Sequence, residues 1–115
     1  MITLYHNPRC SKSRDALALL EQSGKAFTVV EYLKNPLTLA ELTELLQKLQ
    51  LPARALLRNK EDEFQALGLA DPSLDDKALL AAIAAHPRLM ERPVLVVAER
   101  AAIGRPLEQL QALLQ

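Results

Sequence analysis

One short stretch limits what this chain can become: Tyr5-His6-Asn7-Pro8-Arg9-Cys10-Ser11-Lys12-Ser13-Arg14. A β-favouring apolar run over residues 2–5 leads in, and an amphipathic run over residues 15–22 leads out. Asn7 and Pro8 disfavour further strand, so a tight loop passes the chain from strand to helix. Cys10, the only cysteine, sits at that handover. Free backbone N–H groups and the macrodipole at a helix start favour negative charge, which lowers a thiol pKa. Lys12 and Arg14 add positive potential, and the Ser13 hydroxyl, one turn along, is within reach of a thiolate. The same N–H groups can hold an oxyanion. An isolated cysteine is ordinarily a small buried hydrophobe. Basic, polar, helix-opening surroundings point here to a reactive thiol instead.

The rest of the chain follows from that start. Ala16, Leu17, Leu19 and Leu20 form one face of a helix over residues 11–23, and Gly24 stops it. Residues 26–33, with Phe27, Val29, Val30 and Tyr32, read as a second strand. Strand, helix and strand in so short a span make a βαβ unit with parallel strands, whose chemistry collects at the strand carboxyl ends. Helices follow: Thr38 and Glu41 form a capping box before Leu39, Leu42, Leu45, Leu46 and Leu49. Residues 53–58 form a shorter helical piece, and residues 59–63 read as solvated surface. Asp71-Pro72-Ser73 caps a run that ends at His86-Pro87. His86 is then a helix-end residue with no catalytic part. Residues 94–98 are continuously apolar, as in a buried strand, and residues 101–103 form a short return strand. Without Gly or Asn between them the hairpin signal is weak. Pro106 opens a last helix with Leu107, Leu110, Leu113 and Leu114 facing inward. The expected fold is α/β and thioredoxin-like: a mixed four-stranded sheet with a helical insertion, residues 36–88, between strands two and three, in a single domain of residues 1–115.

Composition removes several functions. The 14 basic and 14 acidic side chains balance, so neither nucleic acid nor an anionic membrane is a favoured partner. One cysteine and two distant histidines offer no zinc-ligand spacing and no internal disulfide. A lone thiol suits a reducing compartment. Neither a signal peptide nor a membrane-spanning run is evident, so a cytoplasmic monomer is expected.

Three arginines stand in distinctive settings: Arg58 closes Arg54-Ala55-Leu56-Leu57-Arg58, Arg92 precedes Pro93, and Arg105 lies between Gly104 and Pro106. The last two fall at element boundaries, where side chains can converge on a cleft. A guanidinium donates two parallel hydrogen bonds and so suits tetrahedral oxyanions. One such arginine is ordinarily a solvated charge. The expectation rests on the set.

The loop from His6 to Arg14 resembles the active-site loop of the glutaredoxin-coupled arsenate reductase family, which pairs Cys-x-x-Ser with a thioredoxin-like fold. Glutaredoxins and Spx-type transcription regulators share that scaffold. The similarity runs from Ile2 to about Pro106 and includes Glu91-Arg92-Pro93-Val94 and Gly104-Arg105-Pro106. It implies Cys10 as nucleophile, His6 and Ser13 as residues that keep it ionised, and Arg58, Arg92 and Arg105 as ligands of arsenate and product. It also implies glutathione, followed by glutaredoxin, as the source of reducing thiols, with no tightly bound cofactor. Arg92-Pro93 resembles the cis-proline site that faces the active cysteine in such folds. For His6 two roles stay open, a cation or donor towards the thiolate or a cap on the loop backbone, and proximity to Cys10 favours the first. Ser13 in place of a second cysteine argues against a dithiol glutaredoxin or a disulfide-switched Spx regulator. Two rival functions remain: an Spx-like module docking on RNA polymerase, and a monothiol glutathione-dependent reductase for another oxyanion or mixed disulfide. A docking surface has no need of three clustered arginines, which favours the arsenate enzyme.

Overall fold

In the computed structural model, which describes every residue from Met1 to Gln115, β1 (Ile2–His6) is a central strand. It runs parallel to β2 (Thr28–Glu31) and antiparallel to β3 (Val94–Val97), and β3 pairs antiparallel with β4 (Arg100–Ile103). The sheet is therefore mixed and four-stranded, in the order β2-β1-β3-β4. The chain folds as two compact units, Met1–Asn35 with Arg92–Gln115, and Pro36–Glu91.

The first unit holds the sheet, helix α1 (Ser11–Ser23) and the last helix, α6 (Glu108–Leu114). Its core is Leu4, Ala16, Leu20, Leu95, Leu110 and Leu113, drawn from β1, α1, β3 and α6. Each fully buried leucine contributes about 1.5–3 kcal/mol, so truncating Leu95 alone would be felt across the sheet. Gly24 ends α1 in the left-handed region at φ 73, where a side chain would be strained. Gly104 serves differently: a Cβ there would lie 2.7 Å from Pro93 Cγ and 2.9 Å from Leu110 Cδ1. Only glycine lets the exit of β4 pass that close to the entry of β3. The β3–β4 hairpin forms despite its weak signal, with Ala98 taking φ 55 in the two-residue turn.

The second unit is helical: α2 (Leu39–Leu49), α3 (Ala53–Leu56), α4 (Asp62–Ala66), α5 (Asp76–Ala85) and a 3-10 turn at Pro87–Leu89. The Thr38–Glu41 capping box is present in full, with Leu42, Leu45 and Leu49 buried beneath it. Helix α5 packs against α2 and α3. Leu57 and Met90 form an isolated antiparallel bridge, flanked by Arg58 N–H donating to Leu89 O and Glu91 N–H to Leu56 O, both at 2.7 Å.

Four local expectations change. The second strand covers only residues 28–31 of the stretch 26–33. Asp71 does not cap the third long helix: its Oδ1 accepts from Ser73 N–H and Oγ–H at 2.9 and 2.8 Å, a local turn, and Asp75 caps α5 through the Ala78 N–H. Asp and Ser serve turns and caps by the same side-chain acceptor chemistry, so sequence does not separate the two. The stretch read as solvated contains the start of α4, and its Glu61 and Glu63 are part-buried in ion pairs. Pro106 does not start the last helix, which begins at Glu108 after Leu107.

Candidate active site

The site forms where β1 ends. Asn7, Pro8 and Arg9 turn the chain, Asn7 O accepts the Cys10 N–H at 3.0 Å, and Cys10 becomes the N-cap of α1 with φ −98 and ψ 122. The loop is tied three further times. Arg9 N–H donates to Asn7 Oδ1 at 3.0 Å, Asn7 N–H donates to Ser13 Oγ at 3.0 Å, and Arg14 Nη1 donates to Pro8 O at 2.9 Å. No acidic side chain occupies the first turn of α1.

Strand register brings two of the arginines to this loop. Val94 pairs with Ile103, so Arg92 and Arg105, two residues beyond on each strand, leave the same end of the hairpin. Tyr5 pairs with Val94, which sets that end beside the carboxyl end of β1. Arg105 Nε donates to Arg92 O at 2.8 Å, and Arg105 Nη2 reaches Cys10 Sγ at 3.5 Å. The Arg92 guanidinium also acts on the sulfur, favouring the thiolate. Arg92–Pro93 and Arg105–Pro106 are both cis.

Cys10 is 8% exposed. Burial pushes the thiol up, but the Arg92 hydrogen bond, the Ser13 amide, the Arg92 charge and the Lys12 amide together hold it below its ordinary value. The thiolate is thus favoured by two guanidinium groups and by the helix N-terminus.

His6 and Ser13 adjoin the sulfur through the loop rather than by their side chains. Ser13, fully buried, shares a 2.6 Å hydrogen bond between its Oγ and His6 Nδ1 while accepting the Asn7 N–H. What Ser13 offers Cys10 is its main-chain N–H. Burial holds His6 below its ordinary value of 6.5, against the pull of Glu31, its register partner on β2, and of hydrogen bonding with the Ser13 main chain, with Arg14 lowering it further. The ring is therefore neutral at pH 7, and a cationic His6 is not what this pocket favours. Its observed partner is the Ser13 hydroxyl, neither the thiolate nor the loop backbone.

Arg58 belongs to the helical unit. Its Nη1 pairs with Glu91 Oε1 at 3.0 Å and its Nε with Glu61 Oε1 at 3.6 Å. Arg88 joins Glu61 and Glu63 to the same network. Sequence reasoning missed Asn7 and Arg14 as loop ties and Glu61 and Glu91 as partners of Arg58. For Asn7 the Asn-Pro pair was an available signal. For Glu91, 33 residues from Arg58, there was none.

Known proteins resemble this chain over nearly its whole length. The ArsC family model matches residues 5–113. An arsenate reductase of Neisseria meningitidis is 53% identical over 114 residues, covering 98% of this chain and 97% of the relative. The uncharacterized protein YfgD of Escherichia coli is 49% identical, covering 95% and 92%. Among solved structures, the arsenate reductase from Vibrio cholerae superimposes with a TM-score of 0.93 at 47% identity, covering 96% of this chain and 95% of that one. Its likeness extends the thioredoxin-like expectation from the sheet to the full chain. A chain matched this completely, in sequence and in backbone, belongs to the ArsC family.

Proposed function

We propose that this protein reduces arsenate to arsenite, with the Cys10 thiolate as nucleophile. The observation that carries the reading is Arg105 Nη2 at 3.5 Å from a sulfur whose ionisation the Arg92 guanidinium also favours. A thiolate between two guanidinium groups is both reactive and placed where a tetrahedral oxyanion would be neutralised. The names of the relatives support arsenate as that oxyanion.

In this mechanism Cys10 Sγ attacks arsenic(V), an As–O bond breaks, and the departing oxygen leaves as water after accepting protons. Arg92 and Arg105 offset the charge of the thioarsenate adduct, and Arg58 is the third arginine assigned to the oxyanion. The chain has one cysteine, so the two electrons that take arsenic(V) to arsenic(III) come from two outside thiols. Those thiols leave joined as a disulfide, and water then cleaves the Cys10 Sγ–arsenic(III) bond, releasing arsenite and restoring the Cys10 thiol. Glutathione as co-substrate, followed by glutaredoxin, is the source the family resemblance supports. The protein then needs no tightly bound cofactor.

The test is arsenate-dependent NADPH oxidation with glutathione, glutaredoxin and glutathione reductase supplied. Turnover in the wild type and none in Cys10→Ser is the expected result. Arsenate-independent oxidation, or equal rates in both proteins, would remove the reading.

A further inference from the structure

Asn7 is 8% exposed, and three of its polar groups are engaged inside the loop. Its N–H donates to Ser13 Oγ, its carbonyl accepts the Cys10 N–H, and its Oδ1 accepts the Arg9 N–H, each at 3.0 Å. No other residue of the loop ties both its last residue, Arg9, and the first turn of α1, at Ser13. We propose that Asn7 is the positioning residue of this site: it fixes the turn that delivers Cys10 to the head of α1, and its uncharged amide keeps a carboxylate out of that turn. The inference rests on Cys10 working as a thiolate, but its test needs no arsenate.

The geometric part follows from the N-cap. Lys12 and Ser13 N–H groups face the sulfur only while Cys10 holds its extended N-cap conformation. The Cys10 N–H is fastened to Asn7 O, and the Arg9 N–H to Asn7 Oδ1, so both peptide groups before the sulfur have little freedom to rotate. The carbonyl bond survives any side-chain change, whereas the Oδ1 bond depends on the residue type.

The charge part explains why the residue is Asn. Asp makes the same side-chain turn and would accept the same Arg9 N–H. Hydrogen bonding therefore does not distinguish them. A carboxylate in the turn that contains a thiolate disfavours the thiolate by like-charge repulsion. Pro8 adds chemical protection: the usual succinimide route from Asn to Asp requires attack by the N–H of the following residue, and proline has none.

The experiment measures the rate of Cys10 alkylation by iodoacetamide against pH in Asn7→Asp, Asn7→Ala and Asn7→Ser, with urea midpoints as the check on folding. Asn7→Asp keeps all three bonds, so it should fold with little loss and raise the alkylation midpoint. About 1 M salt should shrink that rise, because screening acts on a charge and not on a loop geometry. Asn7→Ala should also raise the midpoint, slowing alkylation at pH 7 by roughly tenfold, and salt should leave that change in place. Asn7→Ser supplies a hydroxyl acceptor and should recover part of the loss. If Asn7→Ala does not fold, Asn7→Ser tests the geometry, through a salt-independent rise in midpoint, and Asn7→Asp tests the charge. Wild-type midpoints in the folded variants would overturn the role. Absence of arsenate turnover in the wild type would count against the proposed reaction alone.

Discussion

Arg105 Nη2 lies 3.5 Å from Cys10 Sγ, although the two residues are 95 positions apart in sequence. The contact exists because β1 and β4 flank β3, so the exit of β4 and the exit of β1 share one end of the sheet. Arg105 is held there by its own Nε, which donates to Arg92 O. One guanidinium thus joins the hairpin backbone to the sulfur.

Arg105→Ala should therefore cost activity without costing the fold. Losing a charge-assisted bond to the reacting oxyanion is worth about 2 kcal/mol, close to a thirtyfold fall in arsenate kcat/KM. Arg105→Lys should recover only part, since an ammonium keeps the charge but loses the fork that binds Arg92 O and the sulfur together. Arg105 is exposed, so the urea midpoint should barely move. Steady-state kinetics and urea melts on the two variants give the comparison. Unchanged kcat/KM in Arg105→Ala would count against an oxyanion role.

Cys10 should also mark the pH dependence of stability. Its folded pKa lies below the ordinary 9.0, so ionisation favours the native state. That contribution is complete above 9.0 and is lost as pH falls through the folded value. Between those two points the wild type should gain stability with rising pH. Cys10→Ser has no ionisable group there and should lack that gain while folding normally. Urea midpoints taken at intervals from neutral pH to above 9 would show it, and parallel curves for the two proteins would contradict it.

Much of this was legible in the chain, and the illegible parts share a cause. Helix α1 could be read from the spacing of Ala16 and Leu20 and from Gly24, because both signals are local. The capping box at Thr38 and Glu41 is likewise contained in four residues. Helix α4 was not legible: five residues, two of them acidic in its first turn, carry too little periodicity to register. Arg92 and Arg105 could be placed at element boundaries, but their common register needs the pairing of Val94 with Ile103. The partner of the Ser13 hydroxyl was misjudged because proximity in sequence to Cys10 says nothing about His6 Nδ1, which the end of β1 aims at it.

Ser13→Ala tests that reassignment. The hydroxyl is fully buried between His6 Nδ1 and the Asn7 N–H. Alanine fills most of the space but removes the partner of both, and a buried unsatisfied group costs about 1–3 kcal/mol. The variant should lose that much in urea unfolding, a larger stability loss than Arg105→Ala. Its thiol midpoint should rise only as far as the loop relaxes, since the Ser13 main-chain N–H is retained. A large rise in midpoint with unchanged stability would restore a direct bond from hydroxyl to sulfur.

Arg58 separates folding from chemistry in the opposite sense. A cleft arginine that only waits for an oxyanion contributes little to stability. Here the guanidinium is clamped between Glu91 at 3.0 Å and Glu61 at 3.6 Å, with the three side chains 19%, 22% and 17% exposed. Arg58→Ala takes the cation from between two part-buried carboxylates, which should cost about 1–3 kcal/mol. Glu91→Ala should destabilise as well, and the double variant should lose less than the two singles added together, because the singles remove the same ion pair. A coupling near zero in that cycle would mean the pair contributes nothing to folding. Kinetics measured where the single variants remain folded then isolate the chemistry. If Arg58 also serves the oxyanion, Arg58→Ala should lose about thirtyfold in arsenate kcat/KM, as a lost bond of about 2 kcal/mol requires. Glu91→Ala, which keeps the guanidinium, should lose far less. Equal losses in both variants would reduce Arg58 to a structural arginine and leave Arg92 and Arg105 as the anion site.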